Sequence, residues 1–368
     1  METRDITGCR LSSQHISLDS RRDSPEEVLA SLGAVQAQDY AASLWAIALR
    51  CGRSATKADV EEAIAKRKIS RTWLMRGTLH FASSLDIHWM LTLFAPRLLN
   101  TAISRDRHLG LGDDIIGKAE GLFARALKRE GGLTRDEMYR VLHDGGLDVS
   151  GQLGYHLLYR AAWDGVICFG AHRGKQPTFE LLEDRIASKR ELSNDQALAE
   201  LASRYFTSHG PATIRDYVWW SGLKVSEARA GIQASPGLTS EGSDGKTYFM
   251  VKSSKRGRGP QGVHLLPAFD EYLVGYADRS AMLGNEETQR MLKRGKIVFT
   301  HSNGIFLPVV VADGEVVGTW KRKNEKANVA VTIRPFTKFD EELTEGVKEA
   351  AGRYGDFLET PVVTSFDK

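Results

Sequence analysis

The sequence predicts an α+β protein that repeats a helix-and-hairpin unit three times and ends in a group of short strands. Three observations lead to this prediction. Apolar residues at helical spacing give way to strand-like segments three times along the chain. A basic stretch rich in Ser and Gly, residues 252–260, then interrupts the pattern. Beyond it the apolar segments are short, which indicates a small β-barrel or a curled sheet.

The composition is that of an ordinary globular protein. The chain has 368 residues, of which 42% are hydrophobic and 26% charged, and its formal net charge is +3. That charge is compatible with a polyanionic partner but does not demonstrate one. The three cysteines have no metal-binding spacing, and no nucleotide-binding loop or metal cluster is apparent, so neither a metal nor a cofactor is expected. No apolar run follows Met1 or approaches the roughly 18 residues of a membrane span, so we expect a cytoplasmic protein.

The first unit, which we assign to residues 1–110, has three helices and a hairpin. The capping box Ser24-Pro25-Glu26-Glu27 predicts the start of the first helix, and Gly33 its end. Two more helices are expected near residues 41–49 and 56–64. Strands joined by the turn signal Arg76-Gly77 then complete the plan of a winged helix. The hairpin carries basic and aromatic residues that either contact DNA or belong to a solvated hairpin with a partly buried Trp: Arg71, Trp73, Arg76 and His80.

Between the first two helices lies the segment Val35-Gln36-Ala37-Gln38-Asp39-Tyr40. Side chains alternate along an extended backbone, so Gln36 and Gln38 are expected to point the same way. Each amide both donates and accepts hydrogen bonds, so the pair can hold a water, a base edge or a sugar. Taken alone, the segment is more simply interpreted as a polar connector between two helices.

Two more units of the same order follow, over residues 111–190 and 191–260. In the second, the capping box Thr134-Arg135-Asp136-Glu137 opens a helix, and strands over residues 166–170 and 178–182 form the hairpin. In the third, three helices precede a hairpin whose turn is Ser243-Asp244-Gly245-Lys246. Three such units in tandem are harder to attribute to chance than one, so we predict three tandem winged helices.

The last segment, residues 261–368, is predicted to form a β-barrel with an amphipathic helix near residues 341–354. Two groups of basic residues in this half of the chain are candidates for phosphate contacts. The first group lies in the linker and is also interpretable as an exposed connection: Lys252, Lys255, Arg256 and Arg258. The second ends a predicted strand and is also interpretable as a solvated strand end: Lys321, Arg322 and Lys323.

Several of these motifs resemble a known family. The Gln36-Ala37-Gln38 segment, residues 71–80, residues 266–276 and residues 304–320 together resemble the AlkZ-like winged-helix DNA glycosylases, the azinomycin-resistance type, over nearly the whole chain. The resemblance implies a C-shaped arrangement of three winged helices and a barrel around duplex DNA. It also implies a monomer that removes N-alkylated purines, especially N7-alkylguanine, and unhooks interstrand crosslinks. The family's catalytic signature falls on Gln36 and Gln38.

Some relatives place Asp at the second position of that signature, whereas this chain has Gln38 followed by Asp39, whose part is left open. Hydrolysis of a glycosidic bond usually needs an acid and a base. A purine alkylated at N7 is already cationic and leaves as a neutral base, so two neutral amides that orient a water and the dipoles around the sugar can suffice. The residues alone also allow a non-enzymatic DNA-binding protein such as a transcription regulator, a protein-interaction module, or a Schiff-base lyase in place of a monofunctional glycosylase.

An extruded base needs a snug pocket, which a crosslinked base cannot enter. The aromatic residues next to the Gln pair in the sequence are Tyr40 and Trp45. Trp45 shares helical spacing with Leu44 and Ala48, so it is expected in the core. The sequence therefore favours a catalytic site that is open to the DNA groove.

Overall fold

The computed structural model describes residues 2–52, 55–186, 189–243, 245–252, 262–284, 299–300 and 305–367. The chain divides into two compact units. One is assembled from two separate stretches, Met1–Val60 and Leu198–Lys368, and we call it the discontinuous unit. The other, Glu61–Ala197, is continuous, and we call it the inserted unit. The four domains expected from the sequence, and their winged-helix content, stay a prediction.

The first part of the chain is mostly helical. Its elements are α1 (Thr3–Ser13), α2 (Pro25–Leu32), β1 (Val35–Gln36), α3 (Tyr40–Leu49) and α4 (Lys57–Ala65). The predicted start of α2 is confirmed, because the Ser24 side chain accepts the Glu27 N–H and Pro25 is the first helical residue. Gly33 ends this helix with a positive φ of 82°, which a side chain would oppose.

The inserted unit combines helices with a small sheet. Its elements are β2 (Ile69–Trp73), β3 (Leu79–Ser83), α5 (Ile87–His108), α6 (Asp113–Glu130), β4 (Leu133–Thr134), α7 (Arg135–Asp144), α8 (Leu153–Trp163), β5 (Ile167–Phe169), β6 (Thr178–Leu181) and α9 (Leu182–Arg185). The predicted capping box at Thr134 is confirmed by reciprocal bonds between Thr134 and Glu137.

The strands of the inserted unit lie antiparallel in the order β3-β2-β5-β6-β4. The two predicted hairpins therefore join into one sheet, where Arg71 of β2 pairs with Phe169 of β5. Aromatic rings fill the junction, and the centroids of Trp73 and Phe169 are 4.9 Å apart. Helix α8 packs on β2 and β5 and adds Tyr159, whose centroid lies 5.5 Å from that of Trp73.

The remaining elements belong to the discontinuous unit from Leu198 onwards. They are α10 (Asn194–His209), α11 (Ile214–Ser221), α12 (Val225–Ala234), β7 (Leu238–Ser243), β8 (Lys246–Val251), β9 (Val263–Leu266), α13 (Glu271–Val274), β10 (Phe299–Thr300), β11 (Ile305–Phe306), β12 (Val309–Ala312), β13 (Glu315–Asn324), β14 (Val329–Pro335), α14 (Glu341–Leu358) and β15 (Val362–Phe366). The predicted hairpin of the third unit is confirmed as β7 and β8.

The prediction of a C-terminal β-barrel is wrong for the residues that the structure describes. Five strands form an open sheet in the order β15-β14-β13-β12-β9, antiparallel except for the parallel pair β14 and β15. Helix α14 connects that parallel pair and packs on β9 and β15. Its Tyr354 ring lies 5.1 Å from Trp320 of β13. The apolar face of the sheet is therefore covered by a helix, so it does not need to close on itself.

Trp45 lies in the core of this unit, as its helical spacing predicted. Its ring is 5.1 Å from that of Tyr354, and its indole N–H donates to the carbonyl of Leu265 at 2.8 Å. Among the described stretches of the chain, no helix is both long and apolar enough to cross a membrane.

Candidate active site

The Gln pair lies on the extended connector that the sequence predicted. Val35 and Ala37 are fully buried, whereas Gln36 is half-buried and Gln38 is exposed. This alternation is that of a strand, in which successive side chains point to opposite faces. Helix α3 begins directly after the pair, because the carboxylate of Asp39 accepts the N–H of Ala42 at 3.0 Å.

A buried carboxylate holds the main chain of the pair. The N–H of Gln36 donates to Oε1 of Glu271 at 2.8 Å, and the indole N–H of Trp220 donates to Oε2 at 2.9 Å. The Glu271 side chain is fully buried, and Nε2 of His209 lies 3.5 Å from the same Oε2. Burial lowers the pKa of His209, against the opposing effect of Glu271.

A second set of buried polar groups supports this arrangement. The guanidinium of Arg50, at the end of α3, makes two bonds of 2.8 Å to the carboxylate of Asp270, and both side chains are fully buried. Gln14 of the segment after α1 accepts from Arg50 at 3.1 Å and donates to the Tyr276 hydroxyl at 3.0 Å. The residues that hold the Gln pair are thus fixed by bonds of their own.

Sequence reasoning did not single out Glu271, His209 or Trp220. The available signal was the pair Asp270-Glu271 inside an otherwise apolar segment, since charged residues are rarely fully buried without partners. That pair lies within residues 266–276, which carried part of the family resemblance. The residues that bond to this pair, Arg50, Gln36 and Trp220, lie far away in the chain, so the sequence did not indicate that the pair holds the Gln segment.

Two of the residues expected to contact DNA are buried. Arg71 is 7% exposed and its guanidinium lies 4.8 Å from the centre of the Phe169 ring, while His80 is 0% exposed and bonds through Nδ1 to the carbonyl of Thr78 at 2.9 Å. Both side chains are thus enclosed within the inserted unit, and their contact with DNA stays a prediction. They are enclosed because the two hairpins share a sheet, which places the basic strand β2 in its interior.

The other candidates differ in their surroundings. Arg76 is exposed in the turn between β2 and β3, and Lys252 is exposed directly after β8. In the last part of β13, Lys321 forms an ion pair with Asp367 at 3.7 Å, Arg322 bonds to the Tyr354 hydroxyl, and Lys323 is exposed. Lys255, Arg256 and Arg258 lie outside the described residues.

One exposed aromatic residue was also missed. Trp219 of α11 is 48% exposed, although its indole N–H donates to the carbonyl of Val274 at 3.1 Å. The guanidinium of Arg279 lies 5.4 Å from its ring centre. A fixed indole beside an arginine is suited to stacking on a nucleic acid base. The available signal was the Trp219-Trp220 pair at the end of a predicted helix.

Comparison with known proteins decides the family. Residues 29–357 match the model of the family described as DNA glycosylase AlkZ-like. The protein belongs to the AlkZ-like DNA glycosylases. The resemblance predicted from the sequence motifs is therefore confirmed.

Relatives of this AlkZ-like protein are similar along the whole chain. It is 26% identical over 369 residues to the interstrand DNA cross-link repair glycosylase of Streptomyces sahachiroi, a match covering 95% of this chain and 94% of the relative. Its structure is similar to that of the Streptomyces sahachiroi DNA glycosylase AlkZ, with a TM-score of 0.78, 25% identity and 99% of each chain covered. The mixed α+β class and the DNA glycosylase function predicted from the sequence are confirmed.

Proposed function

We propose that this AlkZ-like protein is a monofunctional glycosylase that hydrolyses the N-glycosidic bond of alkylated purines in duplex DNA, with Gln36 and Gln38 as its catalytic residues. The substrates are N7-alkylguanine and related cationic adducts. The observation that carries the proposal is the geometry of the Gln36-Ala37-Gln38 segment. Its main chain is tied to a buried carboxylate, while its two amide side chains lie on the less buried side of an extended strand.

The chemistry needs little proton transfer. A water attacks C1′ of the deoxyribose as the C1′–N9 bond breaks, and the bonding electrons neutralise the positive charge of the purine. The water loses one proton to solvent. Amide oxygens that accept from the water orient it and favour the positive charge that develops on the sugar, because their dipoles are already aligned. An uncharged nucleoside is a poor substrate for this site, so selectivity for damaged bases follows from the leaving group.

We extend the proposal to interstrand crosslinks. The relative from Streptomyces sahachiroi is named as a crosslink repair glycosylase. A crosslinked base cannot enter a closed pocket. Gln38 is exposed in this protein, which agrees with a site that works on a base still within the duplex.

The proposal includes three tandem winged helices in a C-shaped monomer around DNA, in the cytoplasm. Exposed basic residues supply the phosphate contacts, which fix position on the duplex without reading its sequence. The candidates are Arg76, Lys252, Lys321, Arg322 and Lys323 among the described residues, with Lys255, Arg256 and Arg258 in the linker.

The test is excision from a duplex that contains a single 7-methylguanine, assayed as abasic sites after alkaline cleavage. We expect Gln36→Ala and Gln38→Ala each to slow single-turnover excision about 100-fold, the scale found when one group that stabilises a transition state is removed. DNA affinity and melting temperature should stay near wild type. Gln176→Ala, at an exposed glutamine of the inserted unit, is the matched control. Full excision by the double Gln variant would rule out the catalytic assignment.

A non-enzymatic DNA-binding protein predicts a different result. The wild-type protein would then bind the damaged duplex but leave no abasic site at any enzyme concentration. A Schiff-base lyase would instead cleave the strand without alkali and would be trapped on DNA by borohydride. Both outcomes are visible in the same assay.

A further inference from the structure

Glu271 is a buried carboxylate whose two oxygens serve different partners. Oε1 accepts the main-chain N–H of Gln36 at 2.8 Å, and Oε2 accepts the indole N–H of Trp220 at 2.9 Å. The residue lies at the first position of α13, and its side chain is 1% exposed. One side chain therefore connects the strand of the Gln pair to the helix α11.

A carboxylate is a costly choice for this position. Transfer of a charge out of water is unfavourable unless hydrogen bonds replace its hydration. The neighbouring Asp270 accepts two bonds from Arg50, and Glu271 accepts the N–H groups of Gln36 and Trp220 and faces His209. The residues that follow Glu271, Tyr272 and Leu273, are buried and apolar or aromatic.

We propose that Glu271 is a positioning residue of the glycosylase reaction, which fixes the main chain of Gln36 and so the direction of both catalytic amides. Glu271 holds the N–H of Gln36, so it fixes the backbone from which the side chains of Gln36 and Gln38 extend. A shift of about 1 Å in a reacting group can cost about 100-fold in rate. This inference rests on the proposed catalysis by the Gln pair and adds the group that orients it.

The ring of His209 lies next to Glu271, and its hydrogen bonds bear on which ring nitrogen carries a proton. The Ser208 hydroxyl donates to the carbonyl of Arg204 at 2.7 Å, so it accepts from Nδ1 of His209 at 2.8 Å. Burial lowers the pKa of His209 and favours its neutral form, whereas the nearby Glu271 side chain acts in the opposite direction. Nε2 of His209 lies 3.5 Å from Oε2 of Glu271, which is longer than an ordinary N–H···O bond.

This hydrogen-bond pattern allows a rescue experiment. In Glu271→Gln, one end of the amide is an NH2 group that must face a donor, either the Gln36 N–H or the Trp220 N–H. In the double variant Glu271→Gln with Trp220→Phe, the second donor is gone. The amide oxygen can then accept from Gln36, while the NH2 group no longer meets the indole N–H. The single variant Trp220→Phe keeps the bond from Gln36 to Glu271 and is the matched control.

The measurements are kcat and KM for excision of 7-methylguanine from a duplex, with melting temperatures for every variant. We expect Glu271→Gln to lower kcat about 10- to 100-fold with little change in KM, since misplacement of catalytic groups affects the transition state and not DNA binding. The double variant should regain most of the lost kcat. Trp220→Phe reports the effect of losing the indole bond alone, and Gln176→Ala, outside the site, should keep the wild-type kcat.

Glu271→Asp separates position from charge. It keeps the carboxylate but shortens the side chain by one methylene, so positioning predicts a loss of kcat comparable to that of Glu271→Gln. It also serves as the second test if the double variant does not fold. Wild-type kcat for Glu271→Asp would overturn the inference, as would a folded double variant that does not recover the kcat lost in Glu271→Gln.

Failure of this inference is distinguishable from failure of the proposed function. If Gln36→Ala and Gln38→Ala excise normally, the catalytic assignment itself is wrong. If those variants are slow while Glu271→Asp keeps the wild-type kcat, the glutamines are catalytic and only the role of Glu271 is refuted.

Discussion

The carboxylate of Asp39 follows the Gln pair directly, and it accepts the N–H of Ala42 at 3.0 Å. It therefore caps helix α3 and satisfies one of the donors that every helix leaves free at its start. This bond gives Asp39 a structural role directly after the Gln pair. The same bond fixes where the extended connector stops and the helix begins.

We predict that Asp39→Ala lowers the free energy of unfolding by about 1 kcal/mol, the usual cost of losing an N-cap. Asp39→Asn should retain most of that stability, because the amide oxygen can also accept from Ala42. Urea unfolding measures the stability of both variants, and excision of 7-methylguanine at saturating enzyme measures their activity. If Asp39→Asn unfolds like wild type but excises much more slowly, the carboxylate acts in catalysis as well as in capping.

Arg71 and Arg76 lie five residues apart on the same hairpin but differ in their exposure to solvent. Arg71 lies beneath the aromatic junction of the inserted sheet, whereas Arg76 is exposed in the turn. A buried arginine contributes packing and a cation–π contact, while an exposed one is available to a phosphate.

We predict that Arg76→Ala weakens duplex binding and reduces the slope of log affinity against log salt by about 0.9, the value for one phosphate contact. Its melting temperature should not change. Arg71→Ala should instead destabilise the protein by about 1–3 kcal/mol and leave the salt slope unchanged. The measurements are DNA binding at several salt concentrations and thermal melting. An unchanged salt slope for Arg76→Ala would remove this residue from the DNA interface.

At the scale of secondary-structure elements, the pair Arg50 and Asp270 joins the end of α3 to the start of α13. Both side chains are fully buried, and the two bonds are parallel, which is the strongest geometry for an arginine and a carboxylate. The Gln pair precedes α3, and Glu271 follows Asp270. This ion pair therefore fixes the two elements between which the Gln36 anchor forms.

We predict that Arg50→Met lowers the free energy of unfolding by about 3–5 kcal/mol, because it leaves the Asp270 charge buried without its partner. The double variant Arg50→Met with Asp270→Leu should recover much of this loss, since the uncompensated charge is removed as well. Denaturant unfolding of both single variants and the double variant gives the coupling energy. Additive effects in that cycle would contradict a direct pair.

The open C-terminal sheet is explained by its covering helix. Helix α14 buries one stripe that includes Val347, Ala351 and Tyr354, and strand β14 of the sheet buries Val329, Val331 and Ile333 at alternate positions. One face of the sheet thus lies in the core, so the sheet does not need to close into a barrel to bury its apolar side chains. The same strand spacing in a sequence is compatible with a barrel or with this arrangement.

At the scale of the whole molecule, the buried residue His15 makes the stability of the protein depend on pH. His15 donates from Nδ1 to the carbonyl of Ser20 at 2.8 Å, and Nε2 accepts from Arg22 at 3.3 Å. Burial and the charge of Arg22 lower the pKa of His15 from 6.5 to about 4. The folded protein therefore binds a proton at this site less readily than the unfolded chain.

We predict that the stability contributed by neutral His15 is fully present above pH 6.5 and is lost as the pH falls from 6.5 through about 4. The loss should amount to at most about 3 kcal/mol, given 1.36 kcal/mol for each unit of pKa difference. His15→Gln should flatten the pH dependence of the unfolding free energy in this range. The measurement is urea unfolding at several pH values for both proteins. Equal pH dependence would show that His15 is not the group responsible.

Local features of the sequence predicted the elements and the candidate catalytic residues. The cap at Ser24, the capping box at Thr134 and the extended Gln36 connector each depend on groups a few residues apart, so they can be read from the chain itself. The family motifs then identified the glycosylase. The anchor of Gln36 was not predictable in this way, because Glu271 lies 235 residues further along the chain.

By itself, then, the sequence determined the α+β class, the glycosylase family and the alternating burial from Val35 to Gln38, since hydrogen-bond caps and hydrophobic periodicity act over one or two turns of chain. Tertiary structure alone decided that Arg71 and His80 are buried, that the last sheet stays open, and that an acid lies behind the Gln pair. The reason is desolvation. Whether a charged or polar group is costly, satisfied or available to DNA depends on which distant segments surround it.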